Sequence, residues 1–95
     1  MKDDDGNEID VKWIRYRGKV SFVVEDSIYE ITKSMREGAE SALARVPYHY
    51  NPHRDFSGRW EEWNMGHEMA HIPELAKTLA TKSCRELAKL VEEVW

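Results

Sequence analysis

The stretch on which this fold depends reads His67-Glu68-Met69-Ala70-His71-Ile72-Pro73. On a continuous helix, the two imidazoles of His-Glu-x-x-His lie one turn apart and can share a zinc ion, with Glu68 taking a proton from metal-bound water. Pro73 opposes that reading, because proline inside a helix removes a backbone donor and clashes with the carbonyl four residues earlier. We therefore interpret the stretch as a boundary, where one helical segment ends near His71 and another begins.

Beyond this boundary, apolar residues recur at helical spacing to the end of the chain. Proline is favoured at the first position of a helix, since its missing N–H would have no partner there in any case. The pattern predicts one long amphipathic helix. Its apolar stripe consists of Ile72, Leu75, Ala76, Leu79, Ala80, Cys84, Leu87, Val91 and Val94. Cys84, the single cysteine, is therefore expected on a buried face, where a thiol is inert.

Before the boundary, the chain begins with strand-like segments. Residues 11–16 and 19–24 are rich in β-branched and aromatic residues and flank Arg17-Gly18, which predicts a β-hairpin with a tight turn. Ser27 and Glu30 have the spacing of a capping box, and the apolar pattern that follows predicts a helix of about five turns, ended by Pro47. Gly38 lies inside this helix at a cost of up to ~1 kcal/mol, which is tolerable where another backbone packs closely.

Together these elements predict an α+β fold in which an N-terminal β-hairpin packs with two long amphipathic helices and a long aromatic-rich loop. Residues 1–10 carry five acidic side chains and are predicted to form an acidic arm or turn, leaving residues 11–95 as a single domain. No apolar run approaches the ~18 residues of a membrane span, and no apolar segment follows the N-terminus as in a signal peptide. We expect a protein of the cytoplasm or of a virion that contacts no membrane.

The loop of residues 47–58 is the part with the densest aromatic content. It contains two prolines and has no periodicity, and long loops in small domains are more often functional than idle. Residues 59–70 fit a helix or a strand, and we favour a short helix or irregular segment. The aromatic residues here predict a protein–protein contact surface, formed in a homo-oligomer or with a partner. Its predicted contact residues are Tyr48, Tyr50, Phe56, Trp60 and Trp63.

Two alternatives remain open from the residues. The first is a zinc-dependent hydrolase using His67, Glu68 and His71, in which case zinc would be the cofactor where otherwise none is expected. His49 and His53 repeat the same spacing and are a second pair of candidate metal ligands.

The second alternative is nucleic-acid binding through the basic residues of the hairpin. These alternate with aromatic residues, as they do where proteins hold phosphates and stack on bases. The residues concerned are Lys12, Arg15, Arg17 and Lys19. The net charge of −4 opposes a general affinity for nucleic acid.

Three segments also resemble a known family in their order. A helix ending in Ala44-Arg45-Val46-Pro47 is followed by Asp55-Phe56-Ser57-Gly58-Arg59-Trp60, and Met69-Ala70-His71-Ile72-Pro73-Glu74-Leu75-Ala76 opens the last helix. This order is similar to that of small head-to-tail joining and tail-completion proteins of long-tailed phages, although Phe56-Ser57 replaces a single residue of their turn. The resemblance implies a non-enzymatic virion component that works in a ring.

Overall fold

A computed structural model describes the backbone of residues 1–94 and the side chains of residues 1–91. The fold is α+β, with an N-terminal antiparallel sheet of three strands packed against four helices. The strands are β1 (Val11–Tyr16), β2 (Lys19–Val24) and β3 (Ser27–Glu30), in that spatial order. The helices are α1 (Lys33–Leu43), α2 (Gly58–Glu68), α3 (Pro73–Thr81) and α4 (Cys84–Val94). No helix in this described part is long and apolar enough to cross a membrane.

The predicted hairpin is confirmed, with both strands at their expected bounds. Trp13 lies opposite Phe22, and both are buried against the helices. Arg17 and Gly18 both have positive φ, as the two central residues of a type I′ turn must. The right-handed twist of such a turn matches the twist of the two strands that it joins.

A third strand replaces the predicted start of the first long helix. Ser27 and Glu30 form no capping box, because residues 27–30 pair with β2 through a second tight turn at Glu25-Asp26. In this register Tyr29 lies opposite Phe22, and the two rings stack with their centroids 5.3 Å apart. The pairing also provides partners for the backbone groups along the edge of β2 from Val20 to Val24, which a local cap could not do.

Helix α1 consequently begins later and ends earlier than predicted. Its N-cap is Thr32, whose hydroxyl accepts a hydrogen bond from the backbone N–H of Met35 at 3.2 Å. At the other end, Arg45 has a φ of 62°, and the N–H of Val46 donates to the carbonyl of Ser41. This is a Schellman motif, which ends the helix before Pro47 is reached.

The predicted C-terminal helix is two helices, separated at Lys82-Ser83. The hydroxyl of Ser83 caps α4 by accepting from the N–H of Glu86, and the Glu86 carboxylate accepts from the N–H of Ser83. These bonds from Ser83 lower the pKa of Glu86. Cys84 is thereby exposed at the start of α4, where its thiol accepts a hydrogen bond from Arg36, so its predicted burial was wrong. Val94 lies outside the described side chains.

The core combines the inner face of the sheet with one face of each helix. From the sheet it takes Trp13, Phe22 and Val24. Most of the predicted C-terminal stripe is buried as expected, since the two helices keep its residues on the core side. The core residues of the helical region are Met35, Ala39, Trp63, Met69, Ile72, Leu75, Ala76, Leu79, Leu87 and Val91.

The acidic residues 1–10 fold back on themselves in a turn. The carboxylate of Asp3 accepts from the backbone N–H of Asn7 and of Asp5, and these bonds lower its pKa. The N–H of Asp4 donates to the carbonyl of His71 at 2.9 Å. This last bond ties the N-terminal turn to the boundary between α2 and α3.

Helices α1 and α2 pack with their backbones in contact. A Cβ atom added to Gly38 would overlap the carbonyl of Trp63, and one added to Gly66 would overlap the carbonyl of Met35. The expectation that a backbone packs closely at Gly38 is therefore confirmed. A side chain larger than hydrogen at either position would force the two helices apart.

We predict that Gly38→Ala and Gly66→Ala each lower the free energy of unfolding by roughly 1–3 kcal/mol, as overpacking does. Helix propensity alone would change it the other way, by up to ~1 kcal/mol. Gly58→Ala is the matched control, because nothing lies within 4 Å of a Cβ at that position. Urea denaturation measures all three, and equal stability of the Gly38, Gly66 and Gly58 variants would contradict the packing.

Candidate interaction surface

The loop between α1 and α2 is fixed to α2 by the side chain of Asn51. Its Nδ2 donates to the carbonyl of Trp60 and to Oδ1 of Asn64, both at 3.0 Å. Its Oδ1 accepts from the backbone N–H of His53 at 2.9 Å. At the end of the loop, Ser57 caps α2 by accepting from the N–H of Trp60. The loop is irregular, but it is anchored along its length.

Three of the predicted contact residues project from this anchored loop. Tyr48 and Tyr50, in a single 3₁₀ turn, are 67% and 65% exposed, and Phe56 is 83% exposed. The ring of Phe56 contacts that of half-buried Trp60 at 5.0 Å. Phe56 also has a φ of 63°, a conformation that costs a bulky side chain about 1–2 kcal/mol. We call Tyr48, Tyr50, Phe56 and Trp60 the aromatic surface.

Trp63 does not belong to this surface. Its side chain is 1% exposed and lies in the core beside the crossing of α1 and α2. Trp60, Trp63 and His67 do align along α2, which favours the helical reading of residues 59–70. That helix turns Trp63 toward α1, and so the prediction of Trp63 as a contact residue needs correction.

The boundary predicted at His67–Pro73 is present in the structure. Helix α2 ends at Glu68, a 3₁₀ turn spans Met69–His71, and α3 starts at Pro73. Nε2 of His67 lies 2.6 Å from the carbonyl oxygen of Val46, while its ring stacks on Trp63 at 5.2 Å. His67 thus joins the end of α1 to the end of α2.

The second histidine of the motif has a different environment. Nδ1 of His71 lies 2.5 Å from the carbonyl oxygen of Glu68, on the exposed side of the 3₁₀ turn. Each of the two histidines therefore bonds a backbone carbonyl of a different segment. Among the described residues, no group of three or more His, Cys, Asp or Glu side chains has a geometry that could hold a metal ion.

The other two histidines, His49 and His53, also have different environments. His49 is exposed between Tyr48 and Tyr50, with its ring 4.6 Å from that of Tyr50. His53 faces α1, and its Nε2 lies 3.7 Å from a carboxylate oxygen of Glu37, too far for a hydrogen bond. His53 therefore faces α1 and is not part of the exposed surface of the loop.

The basic residues of the hairpin do not converge on one face. Lys12 and Lys19 lie on the outer face of the sheet, each near a carboxylate, with Lys19 3.1 Å from Glu30. Arg15 lies on the same face as Trp13, and Arg17 lies in the turn with its guanidinium over the ring of Tyr16. Carboxylates beside both lysines reduce the positive field that phosphates would meet.

Sequence reasoning missed the residues that hold and surround the aromatic surface. Asn51 was passed over, although Asn followed by Pro is a common signal of turn formation. Arg45, Arg54 and Arg59 are exposed on or beside the loop and were not predicted as contact residues. Arg is, with Tyr and Trp, the residue most enriched in the energetic centres of protein interfaces. Their spacing in the sequence gave no sign that they would remain exposed around one surface.

We predict that Asn51→Ala releases the loop without unfolding the helices. The substitution removes two donors and one acceptor, and the free energy of unfolding should fall by roughly 1–3 kcal/mol. Amide hydrogen exchange of residues 48–56 should accelerate more than that of α3. Pro52→Ala is the control in the same loop, because it removes none of these bonds. Equal acceleration in loop and core would show that Asn51 contributes only to global stability.

We predict different effects for the two histidines of the motif. His67→Phe keeps a ring that can stack on Trp63 but removes the donor to Val46, and should destabilise by about 1 kcal/mol. His71→Phe changes an exposed residue and should stay within about 0.5 kcal/mol. Thermal unfolding with and without added zinc measures both. If the two histidines shared a metal site, zinc would raise the unfolding temperature of the wild type, and both variants would lose that stabilisation.

Comparison of the chain with models of protein families, with curated proteins and with solved structures found no match in any of the three.

Proposed function

We propose that this chain is a non-enzymatic interaction or assembly protein, which uses its aromatic surface to contact copies of itself or a protein partner. The observation that supports this most is the exposure of Tyr48, Tyr50 and Phe56 on a loop that Asn51 anchors to α2. Monomeric proteins seldom expose several large aromatic side chains on one short loop without a binding role. The concavities of the described residues, of about 250 to 340 Å³, lie at or below the lower end of the size range of small-ligand sites, which favours a surface contact over small-molecule chemistry.

The energetics of the surface are suited to binding. An aromatic side chain buries on the order of 150–250 Å² when it is covered, at about 25 cal/mol per Å². The loop is already ordered by Asn51 and Ser57, and an ordered loop loses less conformational entropy on binding than a mobile one. The left-handed backbone of Phe56 adds support, since strained residues cluster at functional sites. The exposed position of the Phe56 ring is therefore maintained at a cost in stability.

The resemblance to phage joining proteins suggests where such a surface would work. We propose a component of a virion, assembled from copies made in the cytoplasm, with neighbouring copies in contact through the aromatic surface. The three short motifs at residues 44–47, 55–60 and 69–76 support this role. The assembly role itself rests on the exposed aromatic residues and does not depend on the phage setting.

We predict that the purified chain self-associates with rising concentration and that Tyr48→Ser/Tyr50→Ser/Phe56→Ser weakens this association by about thirtyfold or more. The replaced residues are exposed, so the free energy of unfolding should change little. Sedimentation velocity and light scattering over a concentration series measure the dissociation constant. Circular dichroism checks that the variant remains folded.

The matched control replaces exposed apolar residues on the sheet, in Tyr16→Thr/Ile28→Thr. Threonine preserves strand propensity, and this variant should associate as the wild type does. If the wild type stays monomeric at high concentration, the proposed self-association is wrong. If both variants weaken association equally, the contact is a general hydrophobic one.

A further inference from the structure

The loop that carries the aromatic surface is rich in arginine, and one of these arginines, Arg59, also lines a concavity with Glu37 and Glu62. Residues 45–59 contain Arg45, Arg54 and Arg59 against one acid, Asp55, in a chain whose net charge is −4. Within the described side chains, no ion pair involves any of these three arginines. The loop therefore presents aromatic rings and guanidinium groups together, and both are available to a partner with an apolar pocket and acidic rim.

A surface of that chemistry exists elsewhere on the same chain. Where residues 8–10 pass the turn between β2 and β3, a concavity of about 250 Å³ opens to solvent. It is lined by apolar Ile9 and Val23 and by the carboxylates of Glu8, Asp10, Glu25 and Asp26. We call it the acidic concavity. Its volume is below the roughly 300–1,000 Å³ of sites for drug-sized ligands, and suits one inserted side chain.

The charge of the acidic concavity is only partly compensated. Lys12 is the one cation among its lining residues and lies 3.9 Å from Asp10. Glu8 pairs with the N-terminal ammonium group at 3.1 Å. Glu25 and Asp26 take part in no ion pair among the described residues, although they stand side by side in a tight turn. Two adjacent carboxylates thus remain available to a cationic partner.

We propose that two copies of this chain bind head to tail, with Phe56 of one copy inserted in the acidic concavity of the next. Arg54 and Arg59 then face the carboxylates of the rim, including Asp10 and Glu25. This inference rests on the proposed function and names the occupant of the aromatic surface. Because the two contacting surfaces differ, one copy of a bound pair still offers a free acidic concavity and the other a free aromatic surface, and the contact can repeat.

Charge complementarity is the reason for choosing a second copy as the partner. An exposed ring flanked by guanidinium groups is complementary in charge to a concavity that combines two apolar residues with an acidic rim. Both surfaces are present on every copy, at equal concentration. A nucleic acid would satisfy the arginines and stack on the rings, but it would be repelled by the net charge of the chain.

The experiment compares two charge-reversed variants, alone and mixed. R54E/R59E reverses the loop, and D10K/E25K reverses the concavity. All four residues are exposed, and each variant should fold as the wild type does. Alone, each variant should have a self-association constant weakened by about thirtyfold or more. An equimolar mixture should recover association close to that of the wild type, because every loop then meets a concavity of opposite sign.

Two controls accompany the reversal. K77E/K89E makes the same change in net charge as R54E/R59E on exposed lysines of α3 and α4, and should associate as the wild type does. Phe56→Ala should weaken association at least as much as the charge reversal, because it removes the inserted ring. Sedimentation velocity measures all samples, and hydrogen exchange should show protection of residues 8–10 and 23–26 on association.

Several outcomes would overturn the head-to-tail contact. D10K/E25K could associate normally while replacement of the aromatic residues abolishes association. In that case the proposed function stands, and Phe56 of the second copy does not bind in the acidic concavity. If the mixture fails to recover association, the two surfaces do not meet. A wild type that remains monomeric but binds a single-stranded oligonucleotide or an acidic peptide through the loop would replace the second copy with that ligand.

Discussion

The contact of two backbones at Gly38 and Gly66 is the constraint on which the helical half of this protein depends. With no side chain between them, α1 and α2 approach until Trp63 and Met35 are fully covered. Buried groups packed at this distance gain dispersion contacts that any gap would forfeit. The close approach also brings His67 within hydrogen-bonding distance of Val46. The glycines therefore determine how close together the two helices that flank the loop can lie.

The four-residue pattern Ser-x-x-Glu has opposite outcomes at two places in this chain. Ser27 and Glu30 lie in β3, whereas Ser83 and Glu86 form a true capping box at the start of α4. A cap stabilises a helix by about 1 kcal/mol. Between Ser27 and Glu30, Tyr29 instead stacks on Phe22, and residues 27–30 pair with β2 as a strand. The pattern reports a local preference, and tertiary pairing decides whether that preference is realised.

What could be predicted from the sequence follows from this distinction. The hairpin was predictable to its end residues because strand propensity and the Arg17-Gly18 turn agree. The boundary at Pro73 was predictable because proline disrupts a continuous helix whatever tertiary contacts surround it. The exposure of Cys84 was not predictable, because the apolar stripe continues across Lys82-Ser83 and gives no sign that the helix is interrupted there. The burial of Trp63 depended on a helix crossing that only the two glycines, far apart in sequence, could signal.

The exposure of the aromatic surface follows from the way the core is filled. Trp63 occupies the place beside the helix crossing, and the rings of Tyr48, Tyr50 and Phe56 stay outside the core. A mobile loop could still fold these rings onto the nearest apolar surface. Asn51 prevents this, because its bonds to Trp60 and Asn64 hold the loop along α2. Phe56 then takes a costly left-handed backbone with its ring in solvent, a conformation that a glycine or asparagine would adopt more easily. An aromatic residue at such a position is consistent with selection for contact with another surface rather than for stability of the monomer.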